Sequence, residues 1–190
     1  AARMAASRGA RVAMAEMLCT DGLCGTCVNV GCIPKKLYSY AAHYAEGFEE
    51  SHGFGWEGSA PTLNWSTLKH NRANEISRLN GIYETMLQGA GVRLLKGFAS
   101  LIGAHEVQLS VLQPDGSTGH QHFSAEHILI AVGGTPFVPH FQGREHVLTS
   151  NDMFDLPDFP KRLLVVGGGY IATEFASIFN GLGSKVTQLY

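Results

Sequence analysis

The stretch "CGTCVNVGCIPKK", Cys24 to Lys36, holds three of the chain's four cysteines, and Cys19 lies just upstream. Thiols this close together can hold a metal, staple a fold or store two electrons. As a C-x-x-C, Cys24 and Cys27 could form a dithiol at a helix start, where the helix dipole lowers a thiol pKa. A zinc or iron–sulfur site would use all four cysteines, at spacings of 5, 3 and 5. The usual pair of C-x-x-C pairs is missing and no His follows at ligand spacing, so no metal ligands are assigned. The third reading joins Cys27 to Cys32 across "VNVG". A regular helix holds residues i and i+5 too far apart for relaxed disulfide geometry. Gly31, and the restriction that Pro34 places on Ile33, would permit the distorted turn such a pair needs.

A second constellation lies near the other end. Leu163 to Val166 reads as a buried strand, and Gly167, Gly169 and Ala172 follow in G-x-G-x-x-A order. The first glycine permits a tight turn and the second lets a pyrophosphate approach the backbone. The small third residue lets helix and strand pack closely, with the phosphates at the helix N-terminus. A helical run and a second strand, "SKVTQLY", complete the context a dinucleotide site requires. The residue ending that second strand normally reads the adenosine ribose. An acid there favours NAD; Tyr190 stands there instead, so NADPH is preferred.

The elements that must position these residues follow from the rest of the chain. Its 190 residues, 45% hydrophobic, can bury a sizeable core. A net charge of −2 and a pI near 6.5 leave no electrostatic footprint for nucleic acid or an anionic membrane. No transmembrane span or secretory signal fits. Cysteines clustered in so long a chain point to intracellular redox or metal chemistry rather than to a secreted disulfide framework.

"AARMAASRGARVAMAE" reads as the end of a helix, a stop at Gly9 and a short strand ending in Glu16. Residues 34–50 read as a helix with Pro34 in its first turn, and "SHGFGWEGSAPT" as turns. Apolar residues at three- and four-residue steps predict a long amphipathic helix from Trp65 to Gln88, stopped by Gly89 and Gly91. From 92 to 132, "VRLLKG", "EVQLSVL" and "HILIAVGG" read as short strands joined by turns such as "PDGS". Residues 136–160, with four of the seven prolines, read as a linker.

Taken together, "GTCVNVGCIPKK", the long helix, "ILIAVGGTPFVP" and "VVGGGYIATEFA" occur in an order that closely resembles the flavoprotein disulfide reductases, the class I pyridine nucleotide-disulfide oxidoreductases. Within them the glutathione reductases are the most similar, and "RLNGIYETML" and "NGLGSKVT" look more like the bacterial type. Dihydrolipoamide and mercuric reductases usually carry Ser at the position of Lys36, whereas high-molecular-weight thioredoxin reductases share the Lys pair. Two departures stand out: "MLCTDGLCG" is a few residues longer than usual with Cys24 in place of a Gly, and "AVGG" replaces "ATGG".

The resemblance implies an α/β chain with a three-layer Rossmann-like fold. Residues 1–150 would be part of an FAD-binding domain carrying the redox-active disulfide, and 151–190 the start of an NADPH-binding domain. It implies an internal fragment. The N-terminal G-x-G-x-x-G, most of the NADPH domain and an interface domain with a His–Glu pair would lie outside it.

Roles follow by position. Cys32 would face the flavin and Cys27 would attack glutathione disulfide. Thr26, Cys27 and Lys35 would contact FAD, with Glu16 at its ribose, Ala99 near the adenine and Gly133 in a flavin-domain glycine motif. Gly167, Gly168, Gly169, Ile171, Ala172 and Glu174 would line the NADPH site, with Tyr170 covering the nicotinamide pocket and Glu174 paired with Lys35. Arg3 and Tyr83 would bind glutathione. A cytoplasmic homodimer with no nucleic-acid or membrane partner completes the expectation. The rival readings are another reductase of the same family and a metal-binding or redox-sensing cysteine module. Without the resemblance, Arg3 and Tyr83 read as ordinary helix residues, and Lys35 and Glu174 as surface charges.

Overall fold

The computed structural model describes residues 1–17, 22–23, 25–59 and 61–190. Cys19 and Cys24 lie outside the described residues. Five helices and seven strands occur among those described: α1 (Ala2–Ala6), β1 (Ala13–Glu16), α2 (Gly25–Asn29), α3 (Cys32–Ser51), α4 (Trp65–Gly89), β2 (Arg93–Lys96), β3 (Phe98–Gly103), β4 (Glu106–Leu112), β5 (Thr118–Ser124), β6 (Arg162–Val166), α5 (Tyr170–Gly181) and β7 (Lys185–Leu189). The chain is α/β and gathers into two compact units. One comprises Ala1–Gly25 and Ser77–Gly133; the other comprises Thr26–Ile76 and Gly134–Tyr190.

In the first unit β1 and β2 pair in parallel, from Ala13 opposite Arg93 to Glu16 opposite Lys96. Parallel neighbours need a long crossover, and the chain between them runs through α4. Gly91, at φ 82°, turns it back into β2. The strands β3, β4 and β5 form an antiparallel meander with β4 central and Leu109 buried. Gly97 enters that meander where a Cβ would meet the Ser110 carbonyl oxygen at 2.6 Å, so only glycine fits. The turn at Pro114–Ser117 is held by the Asp115 carboxylate, which accepts from the Ser117 amide at 2.9 Å and hydroxyl at 2.6 Å; these bonds hold its pKa below the usual value.

The expected strand at "HILIAVGG" does not form: residues 127–134 carry no ladder, and Leu129, Ile130 and Val132 are 71, 65 and 88% exposed. A strand exists only with a backbone partner, and among the described residues no strand pairs with 127–134: the parallel sheet of this unit stops at β1 and β2.

The second unit is built on β6 and β7, parallel from Arg162 opposite Lys185 to Val166 opposite Leu189. They are joined by α5, with α3 packed on that helix. Tyr38, Trp65, Phe154, Phe175, Ile178, Phe179 and Leu182 form its core. The edge-on contacts of Trp65 with Tyr38 (5.3 Å) and Phe159 (5.5 Å) suit the ring quadrupole. The reading of β6 as a wholly buried strand is corrected. Leu163 and Val165 are half-buried while Leu164 and Val166 are exposed, because helices cover only one face of this two-stranded sheet.

The proline-rich 136–160 segment has two short 3₁₀ turns, Arg144–His146 and Asp152–Phe154, and no other helix or strand. It is less of a free linker than expected, since Met153, Phe154 and Leu156 are buried in the core. Its carbonyls are gripped by side chains from α3 and α4. Tyr38 donates to Phe154 O (2.8 Å), as does Arg72 Nη2 (2.7 Å), while Trp65 Nε1 (3.0 Å) and Lys69 Nζ (2.7 Å) donate to Leu156 O. Backbone without a ladder still needs partners when buried, and here side chains supply them.

Candidate active site

Between Cys27 and Cys32 the chain is two helical pieces with a break. Helix α2 ends at Asn29, and Val30 N–H closes on Thr26 O at 2.9 Å. Gly31 then caps α3 with φ −146° and ψ −121°. A Cβ on Gly31 would lie 2.7 Å from the Thr26 carbonyl oxygen. That contact is against backbone, which cannot swing aside, so glycine is required for the break. Two cysteines five positions apart are thereby brought together: both thiols are free and exposed, and Cys27 lies beside Cys32, close enough for each to bear on the other's charge. The Cys32 contact pushes the Cys27 pKa up. Desolvation and the negative charge Cys32 can carry add to the rise, and the Lys35 cation opposes it.

The break makes a prediction. With Gly31→Ala the Cβ forces Thr26 and Gly31 apart, and the Cys27–Cys32 disulfide should form on mild oxidation at least about tenfold more slowly, in line with the narrow geometry a disulfide accepts. Counting free thiols over time after adding oxidised dithiothreitol reads this directly; unchanged kinetics would remove Gly31 from the argument.

One turn into α3, Lys35 Nζ meets Glu174 Oε1 on α5 at 2.6 Å, with both side chains partly shielded. The ion pair ties the helix carrying the dithiol to the helix that opens after the glycine turn. In that turn Gly167 has φ 135° and donates its N–H to Leu189 O at 2.7 Å. A Cβ at Gly167 would touch Ala172 at 3.4 Å, one at Gly168 would strike Tyr190 at 2.9 Å, and one at Gly169 would meet nothing within 4 Å. The space beside Gly169 is open to a phosphate, and the first-turn amides of the 12-residue α5 face outward from its start. Tyr170 and Ile171 are exposed there. Tyr190 sits against Gly168, where an adenosine ribose would be read. These residues fit a nicotinamide dinucleotide.

In the first unit, Glu16 ends β1 at the C-terminal edge of the parallel pair, its carbonyl accepting from Gly97 N–H at 3.0 Å. An acid at that edge fits the ribose of a dinucleotide. Ala99 lies on β3 and is exposed; Gly133 has φ 69°, left-handed backbone that a side chain disfavours. Arg3 Nη1 on α1 donates to the Met86 sulfur on α4 at 2.7 Å, and Tyr83 lies one turn before Met86 on the same face. The site residues thus fall into two groups, one in each unit: Thr26, Cys27, Cys32, Lys35 and 167–174 in the second, and Arg3, Glu16, Tyr83, Ala99 and Gly133 in the first. Among the described residues no group of three or more His, Cys, Asp or Glu side chains could hold a metal ion.

Sequence reasoning missed Gln188, whose amide Nε2 donates to Gly167 O at 2.9 Å and braces the glycine turn. The signal was present: a polar residue shares the helix-facing side of β7 with Val186.

The profile of the pyridine nucleotide-disulphide oxidoreductases matches residues 1–190. The chain belongs to that family. Among curated members of the family, glutathione reductase of Burkholderia cepacia is 45% identical over the whole chain and 40% of its own length. The chloroplastic/mitochondrial glutathione reductase of Pisum sativum is 45% identical over 98% of the chain and 34% of its own length. Trypanothione reductase of Leishmania donovani is 42% identical over 90% of the chain and 37% of its own length. The chain therefore spans between a third and two fifths of the length of these pyridine nucleotide-disulphide oxidoreductases.

Proposed function

We propose that this chain carries the dithiol and nucleotide-binding elements of an NADPH-dependent glutathione-disulfide reductase. The observation that carries the reading is the meeting of the Cys27 and Cys32 thiols across the Gly31 break, one turn from an ion pair to the helix of the glycine turn. Relatives named glutathione reductase at 42–45% identity support the substrate.

The chain's own residues would act as follows. Cys27 loses its proton and attacks one sulfur of glutathione disulfide, forming a mixed disulfide and releasing one glutathione thiolate. Cys32 then attacks the Cys27 sulfur, closing the Cys27–Cys32 disulfide and releasing the second. Two thiols are oxidised and one external disulfide is reduced. The flavin, when bound, supplies two-electron transfer from nicotinamide to this disulfide. Thr26, Cys27 and Lys35 would hold it on the redox side, and Glu16, Ala99 and Gly133 on its nucleotide side. Gly167 to Glu174 would bind NADPH. Arg3 and Tyr83 would position glutathione. In this reading residues 1–150 serve FAD and 151–190 begin the NADPH domain.

The test is NADPH oxidation with glutathione disulfide by the FAD-loaded protein. Glutathione disulfide should be preferred over trypanothione and lipoamide disulfides, and kcat/KM for NADPH should exceed that for NADH by tenfold or more, because Tyr190 neither binds a 2′-hydroxyl as an acid would nor repels a 2′-phosphate. An equal or reversed cofactor ratio would refute the cofactor assignment, and turnover of another disulfide alone would refute the substrate.

A cytoplasmic homodimer belongs to the same proposal. Among the described residues no helix is long and apolar enough to cross a membrane. Tyr40, Tyr44 and Phe48 form an exposed aromatic row on α3 at four-residue steps, with Lys36 at its start. Two copies laid antiparallel about a two-fold axis would bury the rows against each other. Tyr44→Glu should turn a dimer into a monomer by light scattering; a dimer that persists removes this face from the proposal.

A further inference from the structure

Helices α3 and α5 run side by side in register. Lys35 meets Glu174, and the same offset of 139 residues joins Ala42 to Gly181 two turns further along. Equal offsets in the same chain direction mean parallel helices in continuous contact. Between the two points the interface is filled by Tyr38, Phe175 and Ile178, all buried. At Gly181 a Cβ would lie 3.0 Å from the Ala42 Cβ and 3.7 Å from its Cα. A side chain at 181 would therefore press on Ala42 more tightly than an ordinary contact, by a few tenths of an ångström, and the obstacle is a methyl group fixed to backbone rather than the end of a flexible side chain. Gly181 has ordinary helical backbone, unlike Gly183 at φ 108°, so the chain direction does not require glycine at 181; the packing does.

We propose that Gly181 is a positioning residue: its missing side chain sets the separation of α3 and α5, and through it holds Lys35 against Glu174 and the dithiol at the start of α3 against the nucleotide turn at the start of α5. The inference rests on the functional reading above for its meaning but not for its geometry. Dithiol and nucleotide motifs lie 135 or more residues apart in sequence, between Cys32 and Gly167, so their relative placement depends on tertiary contacts, the packing of α3 on α5 among them. A side chain at 181 wedges the helices and degrades transfer from nucleotide to dithiol while leaving both motifs intact.

The experiment reads the Lys35–Glu174 contact itself. A zero-length carbodiimide joins an amine to a carboxylate only where they touch, and mass spectrometry of the cross-linked peptide measures the yield; Glu174→Gln is the blank. Gly181→Ala should lower the yield about twofold and Gly181→Val at least fivefold, in protein whose far-UV circular dichroism is unchanged. Adding Ala42→Gly removes the opposing methyl. It should return Gly181→Ala to the native yield and recover at least half of the loss in Gly181→Val. In FAD-loaded protein, NADPH-driven reduction of the Cys27–Cys32 disulfide should follow the same order, while reduction by dithiothreitol stays constant. An unchanged yield in folded Gly181→Val, or a loss that Ala42→Gly does not restore, overturns the proposal. If the cross-link follows the prediction and no variant, nor the native chain, transfers electrons from NADPH, the spacing stands and the functional reading falls.

Discussion

Cys27→Ser and Cys32→Ser each lower disulfide turnover by at least about a thousandfold, and the double substitution is no worse than either, because the two thiols act as a unit. The two variants fail differently. With Cys32 gone, Cys27 still attacks glutathione disulfide and remains blocked as a mixed disulfide, visible as one glutathione on the Cys27 peptide. With Cys27 gone, no such adduct accumulates at Cys32. The pH dependence separates the roles further. In the native pair the Cys32 contact raises the Cys27 pKa, so below that pKa a smaller fraction is thiolate than in an ordinary cysteine. Replacing the Cys32 thiol by a hydroxyl removes the negative charge it can carry, the Cys27 pKa falls, and alkylation of Cys27 by iodoacetamide at pH 8 becomes faster. Glutathione trapped on Cys32 in the Cys27→Ser protein, or steady turnover by Cys32→Ser, would falsify the assignment.

Asp155→Asn destabilises the second unit by about 1–2 kcal/mol, less than for a fully buried pair because the carboxylate is largely in water while the cation it serves is not. Arg72 is 6% exposed while the Asp155 side chain is 69% exposed, so the aspartate alone can be lost to water at little cost. The guanidinium cannot: it stays enclosed, with Nη2 on Asp155 and on Phe154 O and its Nε without a hydrogen-bond partner. The double variant Arg72→Met/Asp155→Asn should recover most of the loss, since Met fills the space without a charge and Tyr38 still satisfies the Phe154 carbonyl. Urea unfolding of the three proteins, compared at constant m, measures this. If the double variant is no more stable than Asp155→Asn, the buried charge is not the cause.

Much of this was legible before any coordinates. The apolar steps from Trp65 to Met86 marked α4, and Gly9, Gly89 and Gly91 marked stops, since helical period and glycine's freedom are local properties. The glycine turn with its strand, helix and second strand was equally readable, because everything that makes a phosphate cradle lies within one short segment. The "CVNVGC" stretch announced a distorted turn through Gly31 and Pro34, though the two thiol pairings and the four-cysteine metal site stayed open until the resemblance chose among them.

What failed did so for want of neighbours. "HILIAVGG" has the composition of a strand but no ladder partner among the described residues, and "RLLVV" is buried on one face where its composition suggested two. The grip of Tyr38, Trp65, Lys69 and Arg72 on the 154–157 carbonyls left no mark in the sequence; Arg72 sits on α4 where a periodic reading expects a solvated charge.

The same division holds at the site. By itself the sequence determined which residues can do chemistry: two thiols that can exchange with a disulfide, and a turn that can approach a pyrophosphate. Only the tertiary structure decided that Lys35 meets Glu174 and that Gly181, readable as a mere helix stop, lies against Ala42. Local spacing fixes which groups share a turn or a helix face. Which two helices touch, and how closely, depends on side-chain volumes from segments far apart in the chain, and these meet only once the core is packed.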